Sequence, residues 1–421
     1  MAELARRIAA RNHAGEAVAL CSVCTAHEEV LAICLETAAG RGEPLAVEAT
    51  SNQVNHEGGY TGLSPADFAE RARRMAGEAG CEIVLGGDHL GPQAWRKGPA
   101  EAAMAEAETM IAAYVRAGFT KIHLDCSEGC EGEPAQLPDA VTADRSARLA
   151  KVARDAAPDP GALIFVVGTE VPPPGGARLD EAGDIPATTP EAARATLDAH
   201  RAAFEAAGAG DLVPLIAGLV VQPGVEFSPM AVHHLPMDRD PGLRAALEGW
   251  AGVTLEAHST DYQHPEAYRR LAELGFGFQK VGPALTFAWR QAVYGLDVLR
   301  GLAGLAPEED TVPGVMEWLM MNDPGHWAGH YHGSPRAQRL ARHFGLADRI
   351  RYYWPQPAAR KSVDRLFRDL EGVELPAPML AQVFDARTLS RAESFDGPQA
   401  RRLVAAEVAR ALDPYFQEAA S

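Results

Sequence analysis

Several short stretches place imidazole and carboxylate side chains where apolar runs end. Asp88-His89 follows IVLGG, His123 and Asp125 sit two apart in KIHLDC, and Glu170 ends ALIFVVGTE. Glu256, His258 and Asp261 close VTLEAHSTD. These residue types are the usual ligands of divalent metals and the usual carriers of protons. Further polar residues gather at the same kind of place: Glu48, Ser51, Asn52 and Gln53 in EATSNQ, Gln222 after PLIAGLVV, and Lys280 and Gly282 in FGFQKVG. Singly, each has a bland reading. An Asp-His pair can cap a turn, His123 and Asp125 can be a buried hydrogen-bonded pair, and Glu256 with Lys280 can be an interior salt bridge. Polar residues at seven run ends together favour a catalytic centre.

The elements that must position them recur with a rhythm. Apolar, β-branched runs lie at 17–23, 45–50, 82–88, 121–126, 162–170, 214–221, 253–259 and 276–282. Between most of them are amphipathic stretches such as PAEAAMAEAETMIAAYVRAG (99–118), with apolar positions three and four apart and Gly118 where a helix would end. Runs alternating with helices imply a parallel sheet, and eight such units imply a closed (β/α)8 TIM barrel, an α/β fold. An open doubly wound sheet would call for a glycine-rich phosphate loop after the first strand, and CSVCTAH is not one. In a barrel the site lies at the C-terminal strand ends, where the polar residues stand. Residues 1–304 are read as the barrel and 305–421 as a helical C-terminal extension, with helical patterns around 314–321, 334–345, 358–371 and 397–417.

Composition narrows the class. The 421 residues carry a net charge of −18, which disfavours a nucleic-acid or anionic-membrane binder. Neither is expected as a partner. A small anionic substrate held by a few local donors remains compatible. The spacings Cys21–Cys24 and Cys126–Cys130 hint at metal or redox sites, but no second close pair adjoins either, so reduced thiols near strand ends are expected. The opening MAELARRIAARN reads as an amphipathic helix, not a signal peptide, and no apolar run approaches membrane-spanning length. A cytoplasmic protein is expected.

The motifs LGGDHLGP, EATSNQVNHEGGYTGLSPADF, KIHLDCS, LEAHSTDYQ, KVGPALTFAWRQAVYGL and RIRYYWPQP occur in order along the whole chain. Together they resemble the tagatose-bisphosphate aldolase Z-subunit family, which is similar to the class II, metal-dependent aldolases. That family has carried a tagatose 6-phosphate kinase label, is also described as an accessory aldolase subunit in galactitol and tagatose catabolism, and includes ketose-6-phosphate 4-epimerases. The kinase label fits poorly, since neither GxxxxGK[ST] nor a kinase signature set occurs.

The resemblance implies C4 epimerisation of a ketose 6-phosphate by retro-aldol cleavage and re-addition. It implies a divalent metal, zinc by preference, on His89, His258 and Glu170. Asp88 would exchange the C4 hydroxyl proton, with Asp125 and Glu170 as further catalytic candidates. Glu48, Ser51, Asn52, Gln53, His123, Gln222 and Asp261 are expected to contact substrate. Ser259, Thr260, the Gly282 backbone and Lys280 are expected near the phosphate. Gln222 departs from the metal histidine that a class II aldolase carries at this point. The alternative function is a non-catalytic partner of a class II aldolase catalytic subunit. A homo-oligomer is expected in either case.

Overall fold

A strand shows one face to the barrel interior and the other to the surrounding helices, so alternate residues of each run face the axis. A computed structural model describes residues 2–168, 185–306 and 311–416. The strands are β1 (Leu20–Cys24), β2 (Leu45–Thr50), β3 (Ile83–Leu90), β4 (Lys121–Leu124), β5 (Ile164–Val167), β6 (Ile216–Val220), β7 (Thr254–Ala257) and β8 (Phe276–Val281). All pair in parallel in chain order, and β8 returns to β1, with Val281 opposite Val23, to close the barrel. The eight expected runs are these eight strands.

Helix α1 (Ala2–His13) precedes the barrel, and α2 (Glu28–Ala39), α3 (Pro65–Ala79), α4 (Ala100–Arg116), α5 (Asp139–Ala156) and α6 (Pro190–Ala206) follow β1 to β5. Local sequence explains their ends. Ser64 and Asp67 form a reciprocal capping box at the start of α3, with Pro65 at its first position. Gly118, one residue past the cap of α4, has φ 86°, a conformation that costs glycine nothing. The connection after β6 breaks the rhythm. It is an antiparallel ribbon (Glu226–Ser228 with Ala231–His233) and a short 3-10 turn (Leu243–Leu247). The βα pattern resumes with α7 (Pro265–Glu273) and α8 (Pro283–Leu302) after β7 and β8.

Ala5 and Ile8 of α1 pack with Leu20, Ala46, Val84, Ile164, Ala217 and Phe278, plugging the N-terminal end of the barrel with an apolar layer. The chain beyond the barrel adds α9 (Val312–Asn322), α10 (Pro335–Phe344), α11 (Pro357–Asp369), α12 (Ala377–Leu380), α13 (Ala386–Ala392) and α14 (Gln399–Leu412). Helix α14 lies against α8 and α2, and its Leu403, Val404 and Val408 share one apolar core with Val293 and Leu296 of α8. A 3-10 turn, Arg349–Tyr353, connects α10 to α11. Asp348 tethers this turn to the first turns of α8, accepting from Arg290 Nε at 3.0 Å and Thr286 Oγ1 at 2.6 Å. The six cysteines are all free. Among the described residues no helix is long and apolar enough to cross a membrane.

Candidate active site

One pleat above the apolar plug the interior becomes charged. Glu48 stands opposite Gly86, where a Cβ would lie 2.7 Å from the Glu48 Cγ. Glycine at 86 therefore makes room for an interior carboxylate. Lys121 Nζ donates to Glu48 Oε1 and Glu256 Oε2, both at 2.7 Å. Lys280 Nζ reaches the other Glu48 oxygen, Asp88 Oδ1 at 2.5 Å and Glu256 Oε1 at 3.4 Å. All five side chains are buried. Burial opposes every one of these charges, but the opposite charges alongside prevail. They hold Glu48, Glu256 and Asp88 below the ordinary carboxylate range and both lysines above the ordinary ammonium value.

Above this floor three imidazoles meet. Neighbouring residues of a regular strand point to opposite faces, yet Asp88 and His89 both face the cavity. The register of β3 against β4 shifts between Gly87 and Leu90, and His89 has φ 46°. This bulge re-aims the pair. Gly91 then passes so close to β4 that a Cβ would lie 1.7 Å from the Asp125 carbonyl oxygen. Ser259, next to His258, is also in the left-handed region, at φ 53°. Such conformations are uncommon outside glycine and collect at functional sites.

The ring centroids of His89, His123 and His258 are 5.1 Å apart in every pair. His89 Nδ1 is 2.7 Å from Asp125 Oδ2, so its Nδ1–H donates there, and Nε2 lies 3.7 Å from Asp88 Oδ2. Burial lowers the His89 pKa, but Asp88 and Asp125 outweigh it and raise the pKa above the ordinary imidazole value. Asp125, which also accepts from Ser127, is held well below the carboxylate range by His89 despite its burial. His258 Nε2 lies 2.9 Å from Glu256 Oε1. Burial and then Lys280 bring His258 down to about 3, so it is neutral and its Nδ1 carries the lone pair. His123 Nδ1 lies 2.9 Å from Asp88 Oδ1 and 3.1 Å from the His89 backbone nitrogen, while its Nε2 is buried without a partner among the described residues.

These residues fit a divalent metal. An orphaned buried nitrogen costs about 1–3 kcal/mol, and with the His123 Nδ1–H donated to Asp88 a cation at Nε2 would remove the orphan. Ligand atoms of Asp88, His89 and His123 lie within 4.8 Å of one another, as do those of His123, Glu256 and His258. His123 belongs to both sets. Sequence reasoning placed His123 against substrate and sought a third imidazole at Gln222. The third imidazole is on β4. Gln222 Oε1 instead accepts from the Gly224 and Val225 backbone, in a turn away from the cavity.

The cavity over the imidazoles is lined by Asn52, Gln53, Asp88, His89, His258, Ser259, Asp261, Lys280 and Gly282 among the expected residues. Cys24, Thr50, Tyr60, Phe227, Arg351 and Tyr352 join them unforeseen. Six expected residues do not line it. Glu48 belongs to the ionic floor; His123 and Asp125 stand behind Asp88 and His89; Gln222 is in its turn. Ser51 is buried, its carbonyl accepting from Asn55. Thr260 is turned outward, with Oγ1 donating to the Lys280 carbonyl at 2.6 Å and 3.0 Å from the Tyr415 hydroxyl. Glu170 lies outside the described residues. The Gly282 backbone, expected to meet phosphate, is already engaged: Asp261 Oδ1 accepts from Gly282 N at 3.1 Å and Ala284 N at 2.8 Å. Burial outweighs these donors and raises Asp261 to about 6. A wider groove of about 970 Å³ runs outside the barrel past α2, α3 and α11. Three ion pairs line it, Arg71 with Glu28, Arg74 with Glu78 and Arg401 with Glu29, and among the described residues it gathers no comparable histidine–carboxylate cluster.

The fold and cavity define a (β/α)8 barrel with a histidine–carboxylate centre at the C-terminal ends of its strands. The family model described as D-tagatose-1,6-bisphosphate aldolase subunit GatZ/KbaZ-like matches residues 5–420. The chain is 41% identical to the D-tagatose 6-phosphate 4-epimerase of Agrobacterium fabrum, over 99% of this chain and 98% of that protein. It superimposes with a TM-score of 0.86 and 45% identity on a crystal structure from Sinorhizobium meliloti 1021 described as a probable tagatose 6 phosphate kinase, covering 94% of this chain and 99% of the other. The chain belongs to the GatZ/KbaZ-like family.

Proposed function

We propose that this protein is a metal-dependent ketose-6-phosphate 4-epimerase that interconverts tagatose 6-phosphate and fructose 6-phosphate by retro-aldol cleavage and re-addition. The observation that carries this reading is the bulge that turns ionised Asp88 and His89 into one cavity beside His258, in a chain 41% identical to a tagatose 6-phosphate 4-epimerase. His89, His123 and His258 would hold the metal. When bound, a divalent cation there polarises the ketose carbonyl and the adjoining hydroxyl.

Asp88 accepts the proton of the C4 hydroxyl. The O–H electrons form the aldehyde carbonyl as the C3–C4 bond breaks, and the bonding pair passes to the C2 carbonyl. The products are an enediolate of dihydroxyacetone and glyceraldehyde 3-phosphate. Rotation of the aldehyde presents its other face, C3–C4 re-forms, and Asp88 returns the proton to the C4 oxygen. His89 and then Lys280 keep Asp88 ionised before the step, and the contacts of Lys280 with Glu48 and Glu256 hold it in place when Asp88 becomes neutral. Asp125 fixes the ring of His89, and Glu256 fixes that of His258. Both lysines are held in the charged form, which disfavours imine chemistry at either one.

The kinase name printed for the Sinorhizobium relative calls for backbone and lysine donors free to cradle phosphates. Here the interior lysines are spent on carboxylates. A second reading, an accessory aldolase subunit, draws on the family description and on exposed apolar side chains of α9 and α10, among them Trp318 and Phe344 at 60% and 54% exposure. One assay separates the two. Purified protein with zinc and fructose 6-phosphate, followed by ¹³C NMR, should form tagatose 6-phosphate. No conversion would overturn the epimerase reading.

A further inference from the structure

The proposed reaction needs a seat for a phosphate dianion, and the customary place in a barrel, the strand-seven and strand-eight side, is taken. Asp261 occupies the first backbone donors of α8. Thr260 faces away, and Lys280 is matched by Glu48 and Asp88. A dianion at that wall would meet a carboxylate and no spare cation.

Arg351, carried in by the turn between α10 and α11, lines the same cavity. Its contacts are neutral. Nη1 donates to the carbonyls of Ala347 and Asp348, and Nη2 lies 3.2 Å from the Tyr352 hydroxyl. The Asp348 carboxylate is engaged by Arg290 and Thr286. Arg351 forms no ion pair among the described residues. A guanidinium with this fork, at a cavity edge and with no carboxylate in salt-bridge contact among the described residues, matches a phosphate in shape and charge. The guanidinium lies 4.7 Å from the Tyr352 ring centroid, and Tyr60 stands edge-on to Tyr352 at 4.6 Å. Both hydroxyl-bearing rings line the cavity.

We propose that Arg351, flanked by Tyr352 and Tyr60, is the phosphate subsite of this cavity and selects phosphorylated over unphosphorylated ketoses. The inference rests on the epimerase reading for the identity of the sugar, not for the anion. The imidazole cluster then meets the carbonyl end of an open-chain ketose and the C-terminal extension meets its far end. The RIRYYWPQP motif thereby acquires a role that the barrel alone does not supply.

The test is calorimetric titration of the full chain with inorganic phosphate, fructose 6-phosphate and fructose, in wild type, Arg351→Gln, Arg351→Lys and Tyr352→Phe. Thermal unfolding checks that each variant folds. Arg351→Gln should weaken phosphate binding about 10-fold or more and erase the preference for fructose 6-phosphate over fructose. Arg351→Lys, which keeps the charge and loses the fork, should fall between, and Tyr352→Phe should lose a few-fold. A folded Arg351→Gln that binds phosphate like wild type overturns the proposal, as does a wild type that binds none. If Arg351→Gln fails to fold, unchanged binding in Arg351→Lys overturns it. The two readings fail separately. Arg351-dependent phosphate binding without C4 inversion defeats the epimerase alone, and C4 inversion with a KM insensitive to Arg351 defeats the subsite alone.

Discussion

Lys121 and Arg351 are both cations turned toward the barrel interior, and they keep opposite company. Lys121 sits deep, 2.7 Å from each of two carboxylates, with its hydrogen bonds closed by the protein itself. Arg351 sits at the mouth, and among the described residues its hydrogen bonds go to backbone carbonyls and to the Tyr352 and Tyr60 hydroxyls. A similar contrast separates the floor from the imidazoles above it. Glu48, Glu256, Lys121 and Lys280 complete one another, whereas His123 above them keeps a nitrogen without a partner among the described residues. A buried polar group that is satisfied builds structure; one left open at a cavity is an address for something the chain does not contain.

The comparison breaks most visibly at Lys121. Lys121→Met leaves two buried carboxylates short of a cation and should cost about 3–5 kcal/mol in denaturant unfolding. Arg351→Gln, with no ion pair to break, should stay within about 1 kcal/mol of wild type. Equal losses at the two positions would contradict the division into floor and mouth.

Asp261 sharpens the division, because it is a buried carboxylate held by backbone donors and without an ion pair among the described residues, Arg351 acting on it only at longer range. Its pKa of about 6 in the fold exceeds the ordinary 3.8, so the folded chain holds a proton there that the unfolded chain has released. Stability from this group is therefore greatest below about pH 4, falls as pH rises to about 6, and is level beyond. The whole change is at most about 3 kcal/mol. Asp261→Asn keeps an oxygen for Gly282 and Ala284 and cannot ionise. The difference in unfolding free energy between variant and wild type should therefore grow between pH 4 and 6 in favour of asparagine. Parallel profiles would show that Asp261 is not held neutral.

A smaller effect is expected one shell out. Asp125→Asn loses the charge that orients His89, and should weaken zinc binding about 10–100-fold in a competition titration while leaving the fold intact. Unchanged affinity would remove Asp125 from the metal's support.

Much of this was legible in the sequence. Eight short apolar runs alternating with amphipathic stretches gave the barrel, and polar residues at the run ends gave the mouth. What was not legible has physical causes. Nothing in KIHL says that Lys121 points inward to Glu48 and Glu256, because strand register sets its company. The left-handed conformations of His89 and Ser259 carry no glycine to announce them. His123 was visible as a same-face partner of Asp125, but its unpartnered nitrogen is a property of packing. The ribbon after β6 has only three residues per strand, too short to leave an alternating pattern. Arg351 lies about 70 residues beyond β8, and only the tether of Asp348 to α8 brings it to the mouth.

The central claim is that Asp88 moves the proton while the imidazoles hold the metal, and Asp88→Asn separates the two. Asparagine nearly preserves the shape of aspartate but cannot accept the hydroxyl proton. Bound zinc and the rate of fructose 6-phosphate C4 inversion should be measured on the same preparation of variant and wild type. Metal content should equal wild type and the rate should fall by about 10²–10⁴-fold. A variant that retains most of the wild-type rate would contradict the claim.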